Sequence, residues 1–134
     1  MSTTRRNTFS KAERLCGLTT VDTLVKSGAS LRVFPFRVVW RETETQEMPV
    51  RILFAVPKRS FKRAVMRNRI RRQMREAYRM NKHALYDQLQ ASGQKIQVML
   101  IYTHREALTT AEIRDKIILT LRRLSEQLPD AGTR

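Results

Sequence analysis

Apolar positions along the chain change their spacing several times, and each change marks an element. Ser10 followed by Glu13 has capping-box spacing and predicts a helical turn from Lys11. Gly17 ends or bends that turn. A second helical piece over about 20–27 then stops at Gly28, with Leu15, Leu18, Val21, Leu24 and Val25 as its buried stripe. Strand chemistry follows. Residues 31–34 form a short apolar piece broken by Pro35, and residues 36–40 place Phe36, Val38 and Trp40 on one face. The polar stretch 42–47 turns the chain. Residues 51–56 alternate Ile52, Phe54 and Val56 against Arg51, Leu53 and Ala55, so an antiparallel hairpin of these two strands is expected.

A long helix is predicted over about 60–82, continuing to near residue 91 and closed by Ser92-Gly93. Met66, Ile70, Met74, Ala77 and Tyr78 share about a third of its circumference, the stripe that must face the sheet. Asn68, Arg71, Arg72, Arg75 and Arg79 lie away from it, and Arg67 sits at its edge. Residues 95–103 form the most apolar run and read as a strand inside the sheet. Thr109 with Glu112 is another capping box, opening a helix that buries Ile113, Ile117, Leu121, Leu124 and Leu128 before Pro129. The element order αβββαβα predicts an α+β fold, a two-layer sandwich with one four-stranded mixed sheet. Residues 9–128 are expected as one domain between a basic tail, 1–8, and a short tail, 129–134.

Charge adds the chemistry. Residues 58–82 hold eleven Lys or Arg against one acid, Glu76, a net +10 of the chain's +15. Such a density repels itself unless a polyanion neutralises it. Arg predominates, and guanidinium groups donate paired hydrogen bonds to phosphate and stack on bases. A solvated helix face is the ordinary explanation of a charge run, but solvated helices mix signs, and no acid occurs from Lys58 to Arg75. The basic helix also lacks the broad Trp-, Phe- or Leu-rich face of a membrane-surface helix, and no apolar stretch reaches the roughly 18 residues of a membrane span. With a lone Cys16, two distant histidines (His83 and His104) and scattered carboxylates, neither a zinc site nor a two-metal nuclease centre is expected. A cytoplasmic nucleic-acid-binding protein is the default reading. Trp40 and Phe54 are expected in the core, whereas Phe9 and Phe34, beside irregular backbone, suit either core or base stacking.

The run Val56-Pro57-Lys58-Arg59-Ser60-Phe61-Lys62-Arg63-Ala64-Val65-Met66-Arg67-Asn68-Arg69-Ile70-Arg71-Arg72-Gln73-Met74-Arg75-Glu76-Ala77-Tyr78-Arg79 closely resembles the arginine-asparagine-arginine motif of the bacterial ribonuclease P protein subunit. Phe9-Ser10-Lys11-Ala12-Glu13-Arg14-Leu15 is similar to that family's N-terminal phenylalanine-lysine-arginine-leucine pattern, and Gly28 ends a helix at the family's spacing. The resemblance implies a left-handed crossover between parallel strands on either side of the motif helix, against the usual right-handed rule. It also implies a protein that binds a large catalytic RNA and helps it remove the 5′ leader of precursor tRNA. Hydrolysis would use Mg2+ held mainly by the RNA, with no catalytic residue in the protein and no obligate protein partner. Arg67, Asn68, Arg69, Arg71, Arg72, Arg75 and Arg79 would contact RNA, and Lys58, Arg59, Lys62 and Arg63 would extend that surface. The leader would lie in a cleft between the N-terminal helix and the sheet. Where the family often carries cleft aromatics, this chain has Val21 and Val25, so Phe9, Phe34 and Phe36, with Lys11 and Arg14, are the cleft candidates. Rival readings are a general or ribosome-associated RNA binder, a self-sufficient nuclease, and a DNA-binding protein. The last leaves few neutral side chains on the helix for base-edge readout.

Overall fold

A computed structural model describes residues 9–15, 18–44, 46 and 48–128, with the side chains of residues 18–20 excluded. The readings placed on Cys16, Gly17, Pro129 and both tails lie outside the described residues. The first element among the described residues is a 3₁₀ turn, Lys11–Glu13, followed by α1 (Leu18–Ser27), β1 (Ala29–Val33), β2 (Phe36–Thr43) and β3 (Val50–Ala55). Then come α2 (Ala64–Asn81), α3 (His83–Ser92), β4 (Lys95–Tyr102) and α4 (Thr110–Gln127). The strands form one mixed sheet in the order β1-β2-β4-β3, an α+β architecture.

The hairpin expected between residues 36–40 and 51–56 does not exist. β4 lies between those strands, antiparallel to β2 and parallel to β3. The physical reason is the composition of β4, which is buried along almost its whole length and therefore takes an inner place. The hairpin that forms instead joins β1 to β2 through Phe34-Pro35, whose peptide bond is cis. Strand β2 also outlasts its apolar stretch. Glu42 and Thr43 pair with Ile96 and Lys95, so the turn begins later than the polar residues suggested.

One face of the sheet packs the main core. Phe36, Val38, Trp40, Ile52, Phe54, Val98, Leu100 and Tyr102 meet Ile70, Met74, Tyr78, Ile113, Ile117 and Leu124 from the helices, and Trp40 and Phe54 are buried as expected. The opposite face carries a smaller cluster, in which Leu15 and Leu24 cover Val39 and Met99. Val25, assigned to that stripe, is instead 51% exposed, because α1 turns Val21 and Leu24 towards the sheet.

The ends of the helices follow their signals. Thr109 Oγ1 accepts from Glu112 N–H at 3.1 Å, and the Glu112 carboxylate accepts from Thr109 N–H at 3.2 Å, completing the capping box. Gly93 closes α3 in the left-handed region at φ 75°, where an L side chain would be strained. Helix α2 starts four residues later than its composition suggests. Residues 57–61 form a turn, in which Ser60 and Phe61 N–H both donate to Pro57 O.

Gly28 has a packing reason to be glycine. A Cβ there would lie 2.5 Å from Leu24 O and 2.9 Å from Trp40 O, both backbone atoms that cannot swing aside. Gly28→Ala is therefore expected to destabilise the fold by roughly 1–3 kcal/mol, as overpacking does. A denaturant midpoint unchanged from the parent would show that the α1–β1 junction relaxes freely.

Candidate nucleic-acid interface

Helix α2 buries Ile70, Met74, Ala77 and Tyr78, so its arginines are forced to the remaining circumference. Asn68, Arg69 and Arg72 are exposed, as are Lys58, Arg59, Lys62 and Arg63 before the helix. Arg71 and Arg75 are half-buried towards β3. Among the described residues, none of Arg69, Arg71, Arg72 and Arg75 is ion-paired with a carboxylate. Their charge is therefore available to an outside anion. Arg79 differs, because Glu76 pairs with it at 2.6 Å. Arg67 differs in another way. Its Nη1 donates to Phe61 O and Lys62 O, both at 2.8 Å, and so fastens the turn that leads into α2.

Beside this helix the N-terminal segment adds to the outer edge of β3. Leu15 N–H donates to Ile52 O at 3.0 Å, and Arg51 donates twice to Arg14 O, at 3.2 and 3.0 Å. Between that segment, β3 and α2 lies a hollow of about 300 Å³, lined by Phe9, Arg14, Leu15, Ile52, Leu53, Phe54, Arg71 and Arg75. Phe9 meets Phe54 and Tyr78 edge to face, with centroids 5.6 and 6.1 Å apart, while the Arg14 guanidinium sits 5.6 Å from its ring centroid. An apolar floor under three cationic side chains suits a nucleobase with its phosphate.

The N-terminal turn is held by the Ser10–Glu13 capping box that the sequence predicts, and by buried partners of Glu13 that it does not. Glu13 accepts from Lys82 Nζ and from the Tyr86 hydroxyl, and Tyr86 in turn accepts from Tyr78 at 3.2 Å. Ser10 N–H and Oγ each donate to the other Glu13 oxygen at 3.0 Å. Burial alone would raise the Glu13 pKa. The hydrogen bonds from Lys82, Ser10 and Tyr86, with the Lys82 charge, outweigh it and hold the carboxyl below its usual value. Burial pushes both tyrosine hydroxyls far up, so they remain donors. Lys82, counted with the basic run, thus belongs to the interior at 3% exposure.

Only part of the aromatic set proposed for a cleft is available to a ligand. Phe36 is 1% exposed and packs on Tyr102 at 5.9 Å, because the period of β2 turns it inward. It is a core residue, and its assignment to a cleft is corrected. Phe34 is 58% exposed at the β1–β2 turn and does not line the hollow. Lys11 is exposed on the N-terminal turn, also outside the lining.

These features define an α+β domain whose most cationic helix runs beside an apolar hollow. A family model described as Ribonuclease P matches residues 9–125, and the chain belongs to that family. It is 45% identical over 83 residues to the ribonuclease P protein component of Porphyromonas gingivalis, a match covering 61% of each chain. With the corresponding protein of Chlorobaculum tepidum it shares 36% identity over 111 residues, 78% of this chain and 72% of the other. Its fold is that of the RNase P protein of Staphylococcus aureus, with TM-score 0.68 and 22% identity, over 85% of this chain and 96% of that one. The Thermotoga maritima RNase P protein superposes with TM-score 0.65 and 23% identity, over 83% and 96%. Among the described residues no helix is long and apolar enough to cross a membrane.

Proposed function

We propose that this chain is the protein subunit of a ribonuclease P ribonucleoprotein, binding a catalytic RNA and the 5′ leader of precursor tRNA. The observation that carries this reading is a set of arginines without carboxylate partners on α2 in a chain of this family. Arg67, Asn68, Arg69, Arg71, Arg72 and Arg75 dock the folded RNA, and Lys58, Arg59, Lys62 and Arg63 extend the cationic surface past the start of α2. Phe9 and Arg14 present the hollow to the leader, with Lys11 close by in sequence. The protein acts by counter-charge and grip. Lower repulsion between two RNAs tightens substrate binding, reduces the magnesium requirement and broadens the range of precursors accepted.

Among the described residues no three of His, Cys, Asp and Glu converge into a metal-binding group. In this reading the Mg2+ ions that support hydrolysis are held mainly by the RNA. The test is reconstitution. Protein added to catalytic RNA and precursor tRNA at low magnesium is expected to restore cleavage at the mature 5′ end, whereas protein free of RNA leaves the precursor intact. Specific cleavage by the protein alone would overturn the subunit reading in favour of a nuclease. RNA binding without any rescue would favour a general RNA binder.

A further inference from the structure

Residues 9–15 form a strap along the outer edge of β3, and three side chains pin it inward. Phe9 is half-buried, Glu13 is 2% exposed and Leu15 is buried, whereas Ser10, Lys11, Ala12 and Arg14 face solvent. Phe9 and Leu15 are apolar pins of the ordinary kind. Glu13 is different. Apolar side chains in place of Glu13 and Lys82 would hold the strap about as firmly, because removing two charges from water offsets their mutual attraction. The pair is therefore explained by direction rather than by strength. Apolar burial has no preferred direction, whereas hydrogen bonds have a narrow one.

The Glu13 carboxylate is fixed from three sides. Ser10 N–H and Oγ donate to one oxygen, while Lys82 Nζ and the Tyr86 hydroxyl donate to the other. Lys82 lies between α2 and α3, and Tyr86 is on α3. The Tyr86 hydroxyl accepts from Tyr78 in the last turn of α2, and the Tyr78 ring also meets Phe9 edge to face. The strap is thus tied to the end of α2 at two points, Phe9 and Glu13, and both ties lead to Tyr78.

This latch sets the place of Arg14. From the strap, Arg14 enters the same hollow as Arg71 and Arg75 of α2, and no acid lines that hollow. Arg51 holds the Arg14 carbonyl at 3.2 and 3.0 Å and adds a fourth cation nearby. Like charges around one hollow repel one another. The field of α2 therefore pushes the strap outward until an anion enters, and the buried contacts of Glu13 oppose that push.

We infer that Glu13, Lys82 and Tyr86 are positioning residues, whose buried contact fixes the strap against α2 so that Phe9 and Arg14 act together with Arg71 and Arg75 on an RNA strand in the hollow. All three are buried, so they act through the strap and not by touching RNA. The inference rests on the proposed function and adds to it an interior control of substrate grip. Docking of the catalytic RNA is separate, because it uses arginines of α2 that the strap does not carry.

The experiment uses the reconstituted holoenzyme and precursor tRNA. Glu13→Met combined with Lys82→Met replaces the pair by apolar side chains and is expected to melt near the parent. In this double variant the Leu15 amide, which donates to Ile52 O, should exchange its hydrogen faster. Precursor binding should weaken about tenfold, as on losing one charge-assisted contact, with catalytic RNA affinity and the cleavage rate of bound precursor unchanged. Phe9→Ala with Arg14→Ala removes the groups that the strap presents, and on that background the loss should vanish. Tyr86→Phe removes a single hydrogen bond and should show a smaller loss with the same masking. It decides the matter if the double variant does not fold. Parent-like precursor binding in the folded variant overturns the inference. So does a loss that persists in full without Phe9 and Arg14, or one that extends to catalytic RNA affinity, since either marks a purely structural role. If Phe9→Ala with Arg14→Ala itself binds precursor like the parent, the hollow takes no part in binding, and that reading of it falls together with the inference.

Discussion

Lys82→Met is expected to cost on the order of 3–5 kcal/mol of folding stability, as removing one member of a buried ion pair does. The substitution leaves the Glu13 carboxylate in the interior with hydrogen bonds from Ser10 and Tyr86 but no countercharge. A change of that size lowers the melting temperature by on the order of 10–20 °C in a small domain. The pH dependence gives a second readout. In the parent, Glu13 titrates below its unfolded value. Its stabilising contribution is therefore full above about pH 4.5 and is lost as the pH falls through the lower folded value. In Lys82→Met, losing the Lys82 hydrogen bond and charge raises the folded pKa of Glu13 above that in the parent. Protonation then relieves the buried charge, and the stability gap to the parent narrows as the pH falls towards 4 and below. Glu13→Gln removes the titration, flattening stability across the same acid range. Thermal melts of the three proteins at several pH values check this. Identical melting of Lys82→Met and the parent would mean the pair contributes nothing to the fold.

That buried group also marks where sequence reading stops. Glu13 and Lys82 lie 69 residues apart, and no local period connects a capping-box acid with the last cation of a basic run. Local patterns were legible. The stripe of α2, the capping box and buried positions of α4, and the alternation of β3 follow from periods of 3.6 and 2 that burial enforces. The inner place of β4 was legible from its apolar run, but its insertion between residues 36–40 and 51–56 was not, because proximity in sequence favoured pairing those two. Phe34 and Phe36 show the same limit on a smaller scale. Two positions apart, they would share a face in a continuous strand, but the turn between β1 and β2 resets the alternation and sends one outward and one into the core.

The motif helix carries the second large effect. Arg69 and Arg72 are exposed, Arg75 is half-buried beside the hollow, and none packs in the α2 stripe. Replacing all three by alanine is expected to leave the melting temperature near that of the parent. Each lost charge-assisted contact with phosphate weakens RNA binding by about 1–2 kcal/mol, so affinity for the catalytic RNA should fall by on the order of a hundredfold or more. The salt dependence follows from the same count. If about six cations displace counterions in the parent, its log–log slope is about −4 to −5, and losing three makes it shallower by about 2–3. Arg67→Ala separates the two roles of the helix. Its guanidinium holds the carbonyls of Phe61 and Lys62, and losing those charged hydrogen bonds should cost about 1.5–3 kcal/mol of stability as well as RNA affinity. Melting and RNA affinity measured on the same preparations decide the matter. Parent-like affinity and slope in the triple variant would reduce α2 to a solvated face. Parent-like melting of Arg67→Ala with lost affinity would leave RNA docking standing and remove only the fastening role of that side chain.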